Sequence, residues 1–117
     1  MPKDRSVILN YDGTNFGPAP KSVPAKGNDK ILFRLGSSPV ANTRLRITIH
    51  DDQHFSAKVL QHGAGQSGQE PLNVTVKPGF DLKTAYKCEL LDANGKVISV
   101  SDGGGEIEPD RGGGGDN

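Results

Sequence analysis

The sequence predicts an antiparallel all-β sandwich of seven or eight short strands, with a barrel as the alternative closure. Three observations carry this fold class. The stretch Thr84–Val100 is a hairpin almost by itself: Tyr86, Cys88 and Leu90 alternate with Lys87, Glu89 and Leu91, Asp92-Ala93-Asn94-Gly95 turns the chain, and Val97–Val100 returns. Arg44–His50 alternates as cleanly, with Leu45, Ile47 and Ile49 on one face and Arg44, Arg46, Thr48 and His50 on the other. Turn residues recur at roughly ten-residue intervals, and no stretch shows the 3.6-residue apolar period of a helix.

Taken in order, Ser6–Tyr11 is a first strand closed by Asp12-Gly13. The segment to Asp29 carries Pro18, Pro20 and Pro24, which cannot donate to a ladder, and so reads as a loop or an edge-covering stretch that switches sheets. Lys30–Leu35 and Arg44–His50 follow as strands, and Phe55–Gln61 runs back from a polar turn. On that alternation Leu60 and Leu91 are apolar residues on otherwise polar faces. His62–Pro71 is a glycine-rich loop, Leu72–Lys77 another alternating strand, and Glu106–Pro109 a short edge strand. Residues 1–109 form one domain on this reading, and 110–117, which lack any apolar residue, form a flexible tail.

Composition bounds the function. Lysines and arginines equal aspartates and glutamates, at 14 each. Residues 1–58 carry nine basic against five acidic side chains, and residues 59–117 the reverse. Basic residues do not cluster with aromatics, so neither phosphate neutralisation nor base stacking has its usual groups, and no nucleic acid is expected as partner. No apolar run approaches the ~20 residues of a membrane span, and none of signal-peptide length follows the N-terminus. The expectation is a cytoplasmic protein with no membrane partner. The single cysteine, Cys88, falls on the inward face of its strand and reads as a small buried hydrophobe.

Few residues suggest chemistry. Gly63-Ala-Gly-Gln-Ser-Gly68 matches the dinucleotide-binding spacing, but an alternating strand follows where a helix N-terminus would be needed. Such a loop can still approach a ligand closely, which makes Gly63 and Gly65 candidate binding positions. His50-Asp51-Asp52-Gln53-His54 places two imidazoles around two carboxylates, the donor types that suit a divalent cation, so His50, Asp52 and His54 are candidate ligands. A blue-copper site fails on residue order, because every histidine precedes Cys88 and the one methionine is Met1. There is no nucleophile elbow, and no serine is spaced to pair with a histidine. No cofactor and no enzymatic activity are expected.

The run Tyr86-x-Cys88-x-Leu90, Asp92–Gly95 and Glu106-Ile-Glu-Pro109 resembles the C-terminal half of small, uncharacterised bacterial Ig-like or cupredoxin-like β-sandwich proteins. The resemblance covers about a quarter of the chain; where such families commonly carry Asp-Pro, this chain has Glu108-Pro109-Asp110. It implies an Ig-like sandwich and transfers no functional residue. The expected function is that of a non-enzymatic module acting through protein–protein contacts or self-association. The alternative is a module binding a small ligand or divalent metal at the His50–His54 turn, with the glycine loop contributing.

Overall fold

The computed structural model describes residues 3–51 and 53–110. The candidate ligand Asp52 and the tail beyond Asp110 lie outside the described residues. Two sheets pack face to face. One has the order β2 (Phe16–Ala19), β1 (Asp4–Tyr11), β4 (Lys30–Ser37), β7 (Leu72–Thr75). The other has the order β3 (Ser22–Ala25), β9 (Val97–Pro109), β8 (Thr84–Leu91), β5 (Arg44–Ile49), β6 (Val59–Gln61). The protein is therefore an all-β sandwich and not a closed barrel, with nine strands among the described residues rather than seven or eight.

Both sheets are mixed rather than wholly antiparallel. β1 runs parallel to β4, and β3 parallel to β9. A parallel pair needs a long crossover, and the proline-bearing stretch after Tyr11 supplies it. That stretch is not a plain loop: it forms β2 on one sheet and β3 on the other. Pro18 and Pro24 are tolerated because both strands are edges, where a missing N–H faces away from the ladder.

The core lies between the sheets. Val7, Leu9, Ile31, Phe33 and Leu35 from one face Leu45, Ile47, Ile49, Tyr86, Cys88, Leu90 and Ile107 from the other, all buried. The rings of Phe33 and Tyr86 meet edge to face across the interface, with centroids 5.1 Å apart. Cys88 is fully buried, and burial pushes its thiol up to about 12.

Two expectations about exposed apolar residues change. The chain from Phe55 does not hold one strand phase: β6 comprises only Val59–Gln61, and Phe55 makes an isolated bridge to Val76. The irregular residues between them reset the alternation. Leu60 thereby pairs with Ile47 and points into the core, and Val59 takes the exposed place at 51%. Leu91, paired with Arg44 and Val97, is fully buried too.

The hairpin 84–100 forms as expected, turning at Asp92–Gly95. Of its loop residues only Gly95 has positive φ (83°), and Gly95 N–H bonds to the Asp92 carbonyl at 2.9 Å. This is a turn closed by one left-handed glycine rather than a two-residue Asn-Gly turn, which would need positive φ at both positions. Asp92 Oδ1 accepts the N–H groups of Asn94 and Lys96, each at 2.9 Å. The returning strand also runs on through Gly103–Gly105 by a register shift opposite Tyr86 and Lys87, so Val97–Pro109 is one long strand.

Strand direction gives the sandwich two distinct ends. At one end lie the β1–β2 turn and the β4–β5, β6–β7 and β8–β9 loops. At the other lie the β3–β4, β5–β6 and β7–β8 loops.

Candidate functional site

The His50–His54 turn joins β5 to β6 and so belongs to the second end. Asp51 organises it. Its Oδ1 accepts the N–H groups of Gln53 and His54 at 2.8 and 3.0 Å, and its Oδ2 accepts from His54 Nδ1 at 2.8 Å. Burial alone would raise this carboxyl; the Gln53 and His54 donors outweigh it and hold it below the ordinary value. The His54 ring also packs on Phe80, centroids 6.2 Å apart. His50 turns elsewhere, with Nε2 3.4 Å from Asp102 Oδ1 on β9. The two imidazoles thus serve different carboxylates. Among the described residues no group of three or more His, Cys, Asp or Glu is arranged to hold a metal ion.

The glycine loop 62–71 lies at the first end, at the far side of the sandwich from that turn. Gly63 and Gly65 therefore cannot share a ligand with His50 and His54. No helix follows the loop; it is two consecutive tight turns. Gln66 N–H bonds to Gly63 O and Glu70 N–H to Ser67 O, both at 3.1 Å. Gly63 spends its own N–H on Gln66 Oε1, and Glu70 Oε2 accepts from Ser67 N–H at 2.9 Å. Gly65, at φ 84°, needs glycine for its conformation.

The residue that fixes this loop is His62, which sequence reasoning set aside. It is buried at 1% exposure. Its Nδ1 accepts the Leu45 N–H at 3.1 Å, and its Nε2–H donates to the Glu70 carbonyl at 2.6 Å. The imidazole is thereby a neutral tie between the start of β5 and the far end of the loop. Gly68 ties the loop to its other neighbour. Its carbonyl accepts the Leu35 N–H at 2.8 Å, and a Cβ there would stand 2.5 Å from the Thr43 carbonyl oxygen.

Arg44 completes the arrangement. At 7% exposure, it places Nη1 3.4 Å from the His62 carbonyl and Nη2 3.4 Å from the carbonyls of both Asp92 and Ala93. The β6–β7 loop and the β8–β9 turn thus meet on one guanidinium. Between these two and the β4–β5 loop opens a cleft of about 520 Å³, within the range of ligand sites. Its walls include Val40, Asn42, Arg44, Gln66, Ser67 and Gln69. Asn42 has φ 62°, a left-handed conformation that asparagine tolerates better than most residues. Of the sequence candidates only Gly65 lines this cleft. The serine-, asparagine- and glutamine-bearing loops were visible in the sequence, but nothing there showed that they converge.

No family model matches the chain, and none of the curated proteins is significantly similar to it. Among solved structures it is similar to the crystal structure of the cysteine protease inhibitor EhICP2 from Entamoeba histolytica, at 14% identity over 93% of this chain and 99% of that one, with a TM-score of 0.49. Among the described residues no helix is long and apolar enough to cross a membrane.

Proposed function

We propose that this protein is a non-enzymatic β-sandwich module that acts through protein–protein contacts, and that it makes them with the end carrying the β4–β5, β6–β7 and β8–β9 loops. The observation that carries the reading is the convergence of these three loops on one cleft, tied together by His62, Gly68 and Arg44. Loops mounted on a rigid sandwich are the usual place for recognition. Here they are also preorganised, so less ordering cost opposes binding. Their side chains are short hydroxyls and carboxamides, which offer adaptable hydrogen bonds to a polypeptide backbone.

A random dodecapeptide library selected on the folded protein tests the reading. Selected peptides are expected to shift the backbone amide resonances of residues 38, 40–43, 65–69 and 93. Gln66→Arg, which fills the cleft, is expected to weaken them at least about tenfold. Peptides that shift only the 50–58 turn, or a library that yields no binder, would overturn it. Light scattering on a sizing column decides between partners. A mass that doubles with concentration, and returns to monomer in Gln66→Arg, identifies a second copy of the chain. A constant monomer mass makes the partner a different protein.

A further inference from the structure

We infer that the cleft recognises a carboxylate, and that Arg44 is its receptor: the partner inserts an aspartate or glutamate side chain carried on an extended acidic segment. This rests on the proposed loop-end function and specifies the chemistry of its partner.

The first support is an uncompensated charge. A guanidinium removed from water is normally neutralised by a carboxylate, because the desolvation of an unpaired ion is costly. Arg44 is 93% buried by its 7% exposure, yet among the described residues no carboxylate lies within ion-pair distance of it. What it has instead are three carbonyl oxygens, each at 3.4 Å, the long limit of a hydrogen bond. Three dipoles at that distance hold the guanidinium in place without cancelling its charge.

Arg46, two residues further along β5, shows what a satisfied arginine looks like in this protein. Its Nε and Nη2 grip Glu89 Oε1 and Oε2 at 2.7 and 2.9 Å, the bidentate fork that suits a carboxylate. Arg44 carries the same fork at the edge of the cleft with no such occupant.

The second support is the sign of the cleft. Among the described residues Arg44 is the one ionic side chain in its lining. Two acids adjoin the lining residues in sequence, and both are engaged by backbone N–H groups. Glu70 caps the Ser67 N–H, and Asp92 caps the N–H groups of Asn94 and Lys96. In the same lining, Asn42, Gln66 and Gln69 carry carboxamide groups whose N–H atoms can complete the coordination of a carboxylate oxygen. A cationic cleft of this volume, with a fork-shaped donor in its lining, discriminates for acidic side chains and against lysine and arginine.

The test titrates the protein with two acetylated, amidated heptapeptides, one alternating glycine with glutamate and the other glycine with glutamine. The readouts are the amide resonances of residues 42–44, 65–69 and 93 and the Arg44 Nε–H resonance. The glutamate peptide is expected to bind at least about tenfold more tightly and to shift the Arg44 Nε–H. The preference is expected to vanish in Arg44→Gln and to survive in part in Arg44→Lys, which keeps the charge and loses the fork.

Equal binding of both peptides at the cleft would overturn the carboxylate inference while leaving the loop-end function standing. So would a glutamate preference that persists in Arg44→Gln. If neither heptapeptide nor any library peptide shifts these resonances, both readings fail together. Free glutarate serves as a third probe: binding as tight as that of the glutamate peptide would overturn the assignment to a protein segment. Should Arg44→Gln not fold, the wild-type Arg44 Nε–H shift and the Arg44→Lys affinities decide the matter.

Discussion

His62 accepts the backbone proton of Leu45 at Nδ1, 3.1 Å away, and donates its own Nε2 proton to the carbonyl of Glu70. One side chain therefore satisfies a buried strand N–H and ties it to the carbonyl of the exposed loop residue Glu70. His62→Ala strands the buried Leu45 N–H and cuts its tie to the loop, and a buried unsatisfied polar group costs about 1–3 kcal/mol. The expected loss is about 2 kcal/mol in urea denaturation. Amide hydrogen exchange should locate it, with residues 63–70 accelerated more than the core of β8.

The hydroxyl of Tyr86 is buried and has no hydrogen-bond partner among the described residues, and burial pushes its acidity far below that of an ordinary tyrosine. Removing that oxygen removes a desolvation cost without opening a large cavity. Tyr86→Phe should stabilise the protein by about 1 kcal/mol, read as a raised denaturation midpoint at unchanged m-value.

Gly105 faces that same ring. A Cβ there would meet Tyr86 Cζ and the Tyr86 oxygen, each at 2.4 Å, and Pro18 Cγ at 2.9 Å. Gly105→Ala should cost about 1–3 kcal/mol by overpacking. Part of the clash is with the hydroxyl, so the cost should be smaller in a Tyr86→Phe background. A double-mutant cycle measures the difference, and strict additivity would contradict the contact.

What the sequence shows and hides follows from the range of the interactions. Alternation in 44–50 and 84–91 is a property of neighbouring residues, and those strands and their inward faces are legible. Cys88 is legible for the same reason. The faces of Leu60 and Leu91 are not, because the irregular stretch after Phe55 resets the phase and Leu91 is covered by its surroundings. The parallel pairing of β1 with β4 depends on a partner more than 20 residues away, and no local pattern encodes it. The cleft is hidden most completely. His62, Arg44 and Gly68 look like an isolated histidine, an outward arginine and a loop glycine, until strand order brings three loops to one end. The His50–His54 turn drew attention because its polar residues are adjacent in sequence, although the fold gives each imidazole a different carboxylate.

Among the described residues four carboxylates are held below their ordinary values, and three of them, leaving aside the fully exposed Asp12, govern the response to acid. Hydrogen bonds from the Arg46 guanidinium hold Glu89 below its ordinary 4.5. Burial works to raise Asp29 and Asp51, but backbone N–H donors together with Arg5 and His54 respectively hold both below 3.8. Each group binds its proton less readily folded than unfolded, so its stabilisation is complete above the unfolded value and is lost as pH falls through the folded one. Stability should be flat with respect to these groups near neutrality and fall below about pH 4. Asp29→Asn gives up the ion pair with Arg5 (3.2 Å) and should flatten that acid slope while lowering stability at pH 7. Urea titrations between pH 2.5 and 7 measure both effects.

Cys88 offers a direct probe of how rigidly the sheets are held together. Thiolate, not thiol, reacts with disulfide reagents, and burial raises this thiol to about 12, leaving little thiolate at pH 8. The sulfur also lies in the core, on a strand paired with β5 at Ile47 and β9 at Ser101, so reagent reaches it only when the two sheets part or the β5–β8–β9 ladder opens. Native protein should therefore react with an aromatic disulfide at least about a thousandfold more slowly than protein in concentrated urea. The His62→Ala variant should react faster than wild type by no more than its global loss of stability allows, because His62 holds the loop and the start of β5 rather than the ladder around Cys88. A larger acceleration would mean that the His62 tie also holds the two sheets together.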